Sequence, residues 1–213
     1  MYFAKKSILQ LKPLLQPFLL VYASLFTLFY FVLVLADQWN WPIAYFTRDP
    51  AATFNSRPFV GMISNIGIMF WCFTAAICLF TATVFKDINV KYTKFYVFSG
   101  LLTLILMFDD LFMVHDKLLP HYFQIPEIAI YLAYLGIIII YFLMYWKIIL
   151  RTEYMIILFA CMFFGASILA DIFFLNKGMQ FLIEDGLKLF GIVTWFLYFV
   201  RTCLNASKIE KLV

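Results

Sequence analysis

Residues 128–149 have the sequence IAIYLAYLGIIIIYFLMYWKII, and this stretch decides the fold class. It is about as long as the ~20 residues that an α-helix needs to cross the hydrocarbon core of a membrane. Its four consecutive isoleucines, 137–140, lack the apolar–polar alternation typical of a barrel strand. Because backbone polar groups in lipid must bond within their own segment, the stretch is predicted to be a transmembrane helix.

The composition of the whole chain agrees with this interpretation. Of its 213 residues, 65% are hydrophobic and 13% are charged, whereas soluble domains have about 45–50% apolar and about 25% charged residues. Without a linker to divide it, the chain is predicted to be one domain, 1–213, of an all-α polytopic integral membrane protein. The predicted transmembrane helices are six spans at about 17–36, 60–85, 96–115, 128–149, 154–175 and 180–200.

The basic residues orient these spans. Six spans place both termini on one side, and that side has eleven of the sixteen lysines and arginines: Lys5, Lys6, Lys12, Lys86, Lys91, Lys94, Lys147, Arg151, Arg201, Lys208 and Lys211. Four basic residues fall on the other side, and Lys188 lies within the sixth span. By the positive-inside rule, both termini are predicted to be cytoplasmic, in a multi-pass protein of a bacterial-type cytoplasmic membrane.

Ionisable residues interrupt three of the spans. The third ends in FDDLFMVHD, residues 108–116, which has three carboxylates and an imidazole, the last carboxylate lying just beyond the span. In the predicted orientation these residues and the charged residues of the fifth and sixth spans share the outer half of the membrane. A charge at the membrane centre costs at least ~2.5–3.5 kcal/mol, so such residues are expected to meet one another. The predicted site is a buried polar cluster open to the extracytoplasmic side: Asp109, Asp110, Asp171, Glu184, Asp185 and Lys188.

Helical geometry constrains the partners within this cluster. Lys188 follows Glu184 by four residues and Asp185 by three, so it can reach both carboxylates. Asp109 and Asp110 are adjacent and point about 100° apart, so they need different partners. On the second span, a face of small and aromatic side chains is predicted to pack against other helices. That face contains Ser64, Gly67, Trp71, Thr74, Cys78 and Thr81.

Carboxylates combined with an imidazole suit a divalent zinc, iron or manganese ion. The predicted metal ligands are Asp109, Asp110, His115, Asp171 and Glu184. This chemistry favours a metal-dependent membrane enzyme that acts on a substrate in the lipid phase.

Two alternatives remain open at this stage, so the sequence leaves the question of enzymatic activity undecided. Buried acids with a lysine partner also suit a small proton- or cation-coupled transporter, although the chain lacks the internal repeat and broken helices typical of carriers. The protein could also be an accessory subunit of a membrane complex. The expected partners are membrane lipid and either further copies of the chain or other members of a complex. Nucleic acid is excluded because there is no basic, aromatic-interleaved surface.

Overall fold

The computed structural model describes the backbone of residues 2–86, 90–173 and 177–206, and the side chains of residues 15–86, 90–171 and 181–206. Throughout these ranges the chain forms helices and turns, with no β-strand. It divides into two compact units, Met1–Val60 and Gly61–Val213.

The first unit consists of one long helix and two short ones. Helix α1 (Tyr2–Trp39) is followed by α2 (Ala44–Thr47) and α3 (Pro50–Thr53). The side chain of Asp49 caps α3 by accepting a hydrogen bond from the backbone N–H of Ala51 at 2.8 Å, which satisfies a donor at the helix start. The apolar part of α1 therefore ends in a compact polar and aromatic turn.

Over its described residues, the second unit contains five long helices and a short irregular segment. In order, these are α4 (Met62–Phe85), α5 (Val90–Phe112), a π-helix (Val114–Leu118), α6 (Leu119–Phe123), α7 (Glu127–Ile149), α8 (Tyr154–Phe173) and α9 (Lys177–Leu204). Helix α4 packs against α5 and α9, and α8 packs along α9. Helix α7 contacts α5 and the π-helix.

Among the described residues, six helices are long and apolar enough to cross a membrane, which confirms the predicted all-α class and agrees with six predicted spans. The apolar stretches are Leu15–Trp39, Met62–Phe85, Val90–Phe112, Glu127–Ile149, Tyr154–Asp171 and Phe181–Leu204. Their length and composition support a membrane location. The last residues of the predicted fifth span, 174–175, lie outside the described residues.

The third predicted span differs from the observed helix. Helix α5 begins at Val90 and ends at Phe112, whereas the prediction covered 96–115. Its first turn includes Lys91, so the helix extends beyond the apolar stretch that the prediction used. It ends earlier because Met113 takes the left-handed conformation, with φ of 48°, which an α-helix cannot contain. His115 consequently belongs to the π-helix.

The core of the second unit is mainly aromatic. Phe95, Tyr96, Tyr198 and Phe199 are fully buried, and Trp71 is 2% exposed. The buried residues of α4 are Gly67, Trp71, Thr74, Ala75, Cys78, Thr81 and Ala82. This confirms the predicted packing face of the second span from Gly67 to Thr81. Ser64, at the end of that face, is exposed on the protein surface.

Glycines allow the closest helix contacts. A Cβ atom on Gly100 of α5 would lie 2.7 Å from Cγ of Leu79, and one on Gly191 of α9 would lie 2.7 Å from the ring of Phe164. Phe164 is in turn stacked on Trp71, with ring centroids 5.7 Å apart. Small residues thus bring the helices close enough for the aromatic rings to pack.

Candidate functional site

The site is built at the end of α5, where the helix breaks. After Phe112, the left-handed Met113 turns the chain into the π-helix. This reversal is fixed by Asp109, whose Oδ1 accepts a hydrogen bond from the backbone N–H of His115 at 3.0 Å. π-Helices are rare and often occur at functional sites. Here the break returns the imidazole of His115 to the last turns of α5.

Asp109 and His115 form a carboxylate–imidazole pair. Nδ1 of His115 lies 2.5 Å from Oδ2 of Asp109, and the hydroxyl of Tyr134 on α7 donates to Oδ1 at 2.7 Å. Because an ionised carboxylate can only accept, Nδ1 carries the proton of this bond. The other ring nitrogen, Nε2, faces Asp116 at 3.7 Å. The hydrogen bond to Asp109 therefore fixes the imidazole ring so that Nε2 points towards Asp116, whose side chain is 52% exposed.

The surroundings of His115 favour its charged form. Burial alone disfavours an imidazolium, but the hydrogen bond and negative charge of Asp109 outweigh burial and raise the pKa of His115 above its usual value. Asp116 acts in the same direction, and Lys188 acts against it. With its pKa raised, the imidazole of His115 keeps its proton to a higher pH than a free histidine does.

Asp110 forms the second pair, on a different face of α5. Its Oδ1 accepts a hydrogen bond from Nζ of Lys188 at 2.6 Å, and its Oδ2 accepts one from Nε1 of Trp71 at 2.9 Å. The carboxylate thereby joins α5 to α9 and α4. As the sequence predicted, Asp109 and Asp110 have different partners.

The pairing of Lys188 was not the one suggested by spacing along α9. Its ammonium group bonds to Asp110 across the helix interface, although Glu184 and Asp185 lie on the same helix. The side chain of Asp110 is only 9% exposed, and an unpaired buried charge is more costly than a solvated one. The most deeply buried of these carboxylates therefore takes the lysine.

A small cavity lies beside the Asp110–Lys188 pair. Its volume is about 30 Å³, enough for about two waters if each needs ~10–15 Å³. Ser64, Gly67 and Asp185 contribute to its wall. The side chain of Lys188 is 38% exposed, so the surrounding helices do not close over the pair completely.

The remaining members of the predicted cluster surround these pairs. Glu184 is half-buried on α9, and its backbone carbonyl accepts a hydrogen bond from Oγ of Ser167 on α8 at 2.9 Å. Its carboxyl group interacts electrostatically with Asp171, Asp185 and Asp116. Asp171 and Asp185 are exposed on the protein surface. Of the six residues predicted to be buried, Asp109 is buried at 6% exposure. Asp110, Glu184 and Lys188 are half-buried.

The structure does not gather the predicted metal ligands around one point. Asp109 faces His115 and Asp110 faces Lys188, so the two adjacent carboxylates diverge. Over the described part of the chain, no group of three or more His, Cys, Asp or Glu side chains is close enough to hold a metal ion. The set Asp109, Asp110, His115, Asp171 and Glu184 stays a prediction.

Two site residues were missed as hydrogen-bond donors. Trp71 was assigned to a packing face, and Tyr134 lies in a span that is apolar on every side. The available signal was chemical, since a buried indole N–H or phenol hydroxyl usually needs an acceptor. Both residues satisfy that need on the paired aspartates of α5.

Comparison with known proteins places the chain in a family. No curated protein and no solved structure matches it. A family model described as Domain of unknown function (DUF8692) matches residues 19–202. That range includes both charged pairs and Tyr134. The chain therefore belongs to the DUF8692 family.

Proposed function

We propose that the protein is an integral membrane hydrolase in which His115 acts as the general base and acid on a lipid-phase substrate. The observation that carries this proposal is the hydrogen bond between Nδ1 of His115 and Asp109. It leaves Nε2 as the nitrogen that can exchange a proton with a reactant. An oriented imidazole with a carboxylate on its other nitrogen is the arrangement that proton transfer in acyl transfer uses.

The proposed step is the hydrolysis of an ester. Nε2 of His115 takes a proton from water while the water oxygen bonds to the acyl carbon. The carbon–oxygen bond to the alcohol then breaks, and the proton passes from Nε2 to the departing alkoxide. Asp109 stabilises the imidazolium formed in between. Water is the only co-reactant, so this step needs no redox cofactor.

The surface next to His115 supports a substrate with an apolar tail. Phe108, Phe112 and Met113 are exposed at the end of α5, and the first two rings are stacked with centroids 6.0 Å apart. An acyl chain can lie along this apolar face while its ester reaches the carboxylate–imidazole pair of Asp109 and His115. We propose, from the positive-inside rule, that this end faces the extracytoplasmic side of a bacterial-type cytoplasmic membrane, with both termini cytoplasmic.

The packed core favours an enzyme over a proton- or cation-coupled transporter. Phe95, Tyr96, Tyr198 and Phe199 are fully buried beyond the site, and the cavity at Lys188 is about 30 Å³. A carrier needs a route through these buried aromatic residues, whereas a hydrolase needs access from one side only. An accessory role in a membrane complex is the outcome expected if the purified chain has no activity alone.

The test is lipid hydrolysis by the purified protein in nanodiscs, measured as release of fatty acid from a panel of ester lipids by mass spectrometry. We expect His115→Gln to lower the rate by ~10²–10⁴-fold, the usual contribution of a general base. The matched control is His121→Gln, which removes the other histidine of the chain from an exposed position. It should keep the wild-type rate.

Two further measurements distinguish the alternatives. Near-stoichiometric metal in the wild type, lost in an Asp109→Ala/Asp110→Ala variant, would favour the predicted metal site at these aspartates over an acid–base role for His115. Absence of hydrolysis, together with proton flux into liposomes that Glu184→Gln abolishes, would replace the enzyme with a transporter.

A further inference from the structure

A second polar pocket lies far from the candidate functional site. It is formed where the turn between α7 and α8 meets the end of α9, and its volume is about 200 Å³. Its lining consists of Arg151, Thr152, Glu153, Arg201, Thr202 and Asn205. Arg201 follows Lys188 by thirteen residues on α9, which corresponds to about 20 Å at 1.5 Å per residue. The two sites are therefore separate.

The chemistry of this pocket suits an anion. Two of its lining residues are arginines, and the others include two hydroxyls and an amide. Arginine presents several N–H groups in a planar fork that matches the oxygens of carboxylates and phosphates. The volume is below the ~300–1,000 Å³ of pockets for drug-sized ligands, so it suits a single charged group.

One arginine already binds an oxyanion from the protein itself. Nε and Nη2 of Arg201 bond to the two carboxylate oxygens of Glu153, the second at 2.5 Å. These hydrogen bonds and the charge of Arg201 lower the pKa of Glu153 below its usual value. Both side chains are nevertheless exposed, at 49% and 41%. Glu153 thus binds the guanidinium group of Arg201 in a position that an external anion can reach.

Arg151 brings a second positive charge to the same pocket. It is exposed, and no carboxylate among the described residues forms an ion pair with it within 4.0 Å. With one glutamate against two arginines, the lining has a net positive charge. The pocket also adjoins the first residue of α8, Tyr154, where the helix dipole favours an anion.

We infer that this pocket binds a phosphate group, held by Arg151 and Arg201, with Glu153 as its internal competitor. The pocket lies where three apolar stretches end or begin, at Ile149, Tyr154 and Leu204. That position is the level of lipid headgroups, and basic pockets between transmembrane helices suit anionic headgroups. The phosphate therefore comes from an anionic lipid or from free phosphate, and the two sources can be separated by experiment.

The experiment measures binding to the full chain in detergent by native mass spectrometry. The ligands are phosphatidic acid, phosphatidylcholine with the same acyl chains, and inorganic phosphate. Arg151→Gln and Arg201→Gln should each weaken phosphatidic acid binding roughly tenfold, as expected for one charge-assisted hydrogen bond. Glu153→Gln should strengthen it by a similar factor because the competitor loses its charge. The increase in affinity cannot result from misfolding.

Lys147→Gln is the matched control. Lys147 is a basic residue at the same end of α7, over the ring of Trp146 at 5.6 Å, and it does not line the pocket. Its substitution should leave binding unchanged. Inorganic phosphate bound with the same dependence on Arg151, Arg201 and Glu153, without preferential binding of phosphatidic acid, supports a phosphate site and assigns the soluble source.

Three outcomes would overturn the inference. The first is equal binding of phosphatidic acid and phosphatidylcholine with no binding of phosphate. The second is an unchanged affinity in Arg151→Gln. The third is no gain of affinity in Glu153→Gln.

Discussion

Helix α9 carries two ion pairs, one near its middle at Lys188 and one near its C-terminal end at Arg201, and the two pairs differ in geometry and exposure. Lys188 makes a single 2.6 Å contact with Asp110, whose side chain is 9% exposed. Arg201 makes two hydrogen bonds to Glu153, but these side chains are 49% and 41% exposed. Judged by hydrogen bonds alone, the second pair would be the stronger. Exposure reverses that ranking, because water competes for every charge at the Arg201 end.

Because of this difference, we expect the Asp110–Lys188 pair to be structural and the Glu153–Arg201 pair to be open to a ligand. Asp110 additionally accepts the indole N–H of Trp71, so it connects three helices and cannot be removed without leaving donors unpaired. Glu153 connects a turn to a helix end and can exchange its partner with solvent. A buried pair is costly to break, whereas an exposed pair can be opened by a ligand.

The largest expected effect is that of Asp110→Ala. It leaves the ammonium of Lys188 and the N–H of Trp71 without their acceptor. Breaking a buried pair costs ~3–5 kcal/mol, and the low end, about 3 kcal/mol, is expected because Lys188 keeps 38% exposure. Unfolding in detergent micelles measures the loss.

The control for this change removes both charges together. Asp110→Leu/Lys188→Met should recover most of the stability, because replacing a buried pair by apolar residues is often neutral. If Asp110→Ala unfolds like the wild type, the two pairs of α9 are energetically equivalent and the comparison fails.

A smaller effect is expected from pH. Because the pKa of His115 is raised in the folded protein, its pairing with Asp109 stabilises fully below the unfolded value of about 6.5. That contribution is lost as the pH rises through the folded pKa. The wild type should therefore lose stability relative to His115→Gln between about pH 6 and the folded pKa. A parallel decline of both proteins in thermal unfolding would contradict the assignment.

The smallest effect on stability is that of Glu153→Gln. Its partner Arg201 stays solvated after the change, so the unfolding midpoint should remain at the wild-type value when no phosphate is present. The measurement is the same thermal unfolding assay. A large loss of stability would show that this exposed pair is structural, and the comparison would then need another explanation.

The sequence predicted the parts of the fold that depend on hydropathy. The run of isoleucines indicated a helix in lipid. The number of predicted spans and the packing face of α4 follow in the same way from how apolar side chains distribute between lipid and protein. Residue spacing also predicted that Asp109 and Asp110 diverge, because 100° per residue is a property of any α-helix.

The break after Phe112 could not be predicted in the same way. The left-handed Met113 has φ of 48° and carries no glycine or proline signal. It is held by a hydrogen bond from the backbone N–H of His115 to Asp109, and Asp109 also accepts one from Tyr134 of α7. The break is therefore tied to a contact between helices that residue spacing does not reveal. The choice of Asp110 by Lys188 has a similar origin. Spacing along α9 suggested two carboxylates that are nearer in sequence, Glu184 and Asp185. Only the three-dimensional packing shows that the more buried Asp110 pairs with Lys188.

The close approach at Gly191 has a consequence for genetics. A side chain there would displace the ring of Phe164, which is stacked on Trp71, whose indole N–H is bonded to Asp110. A residue without any functional group is thus linked mechanically to the charged pair. In a survey of variants, substitutions of Gly191 should therefore lower function as substitutions of the acidic residues do. That sensitivity reflects packing and does not make Gly191 a participant in the chemistry.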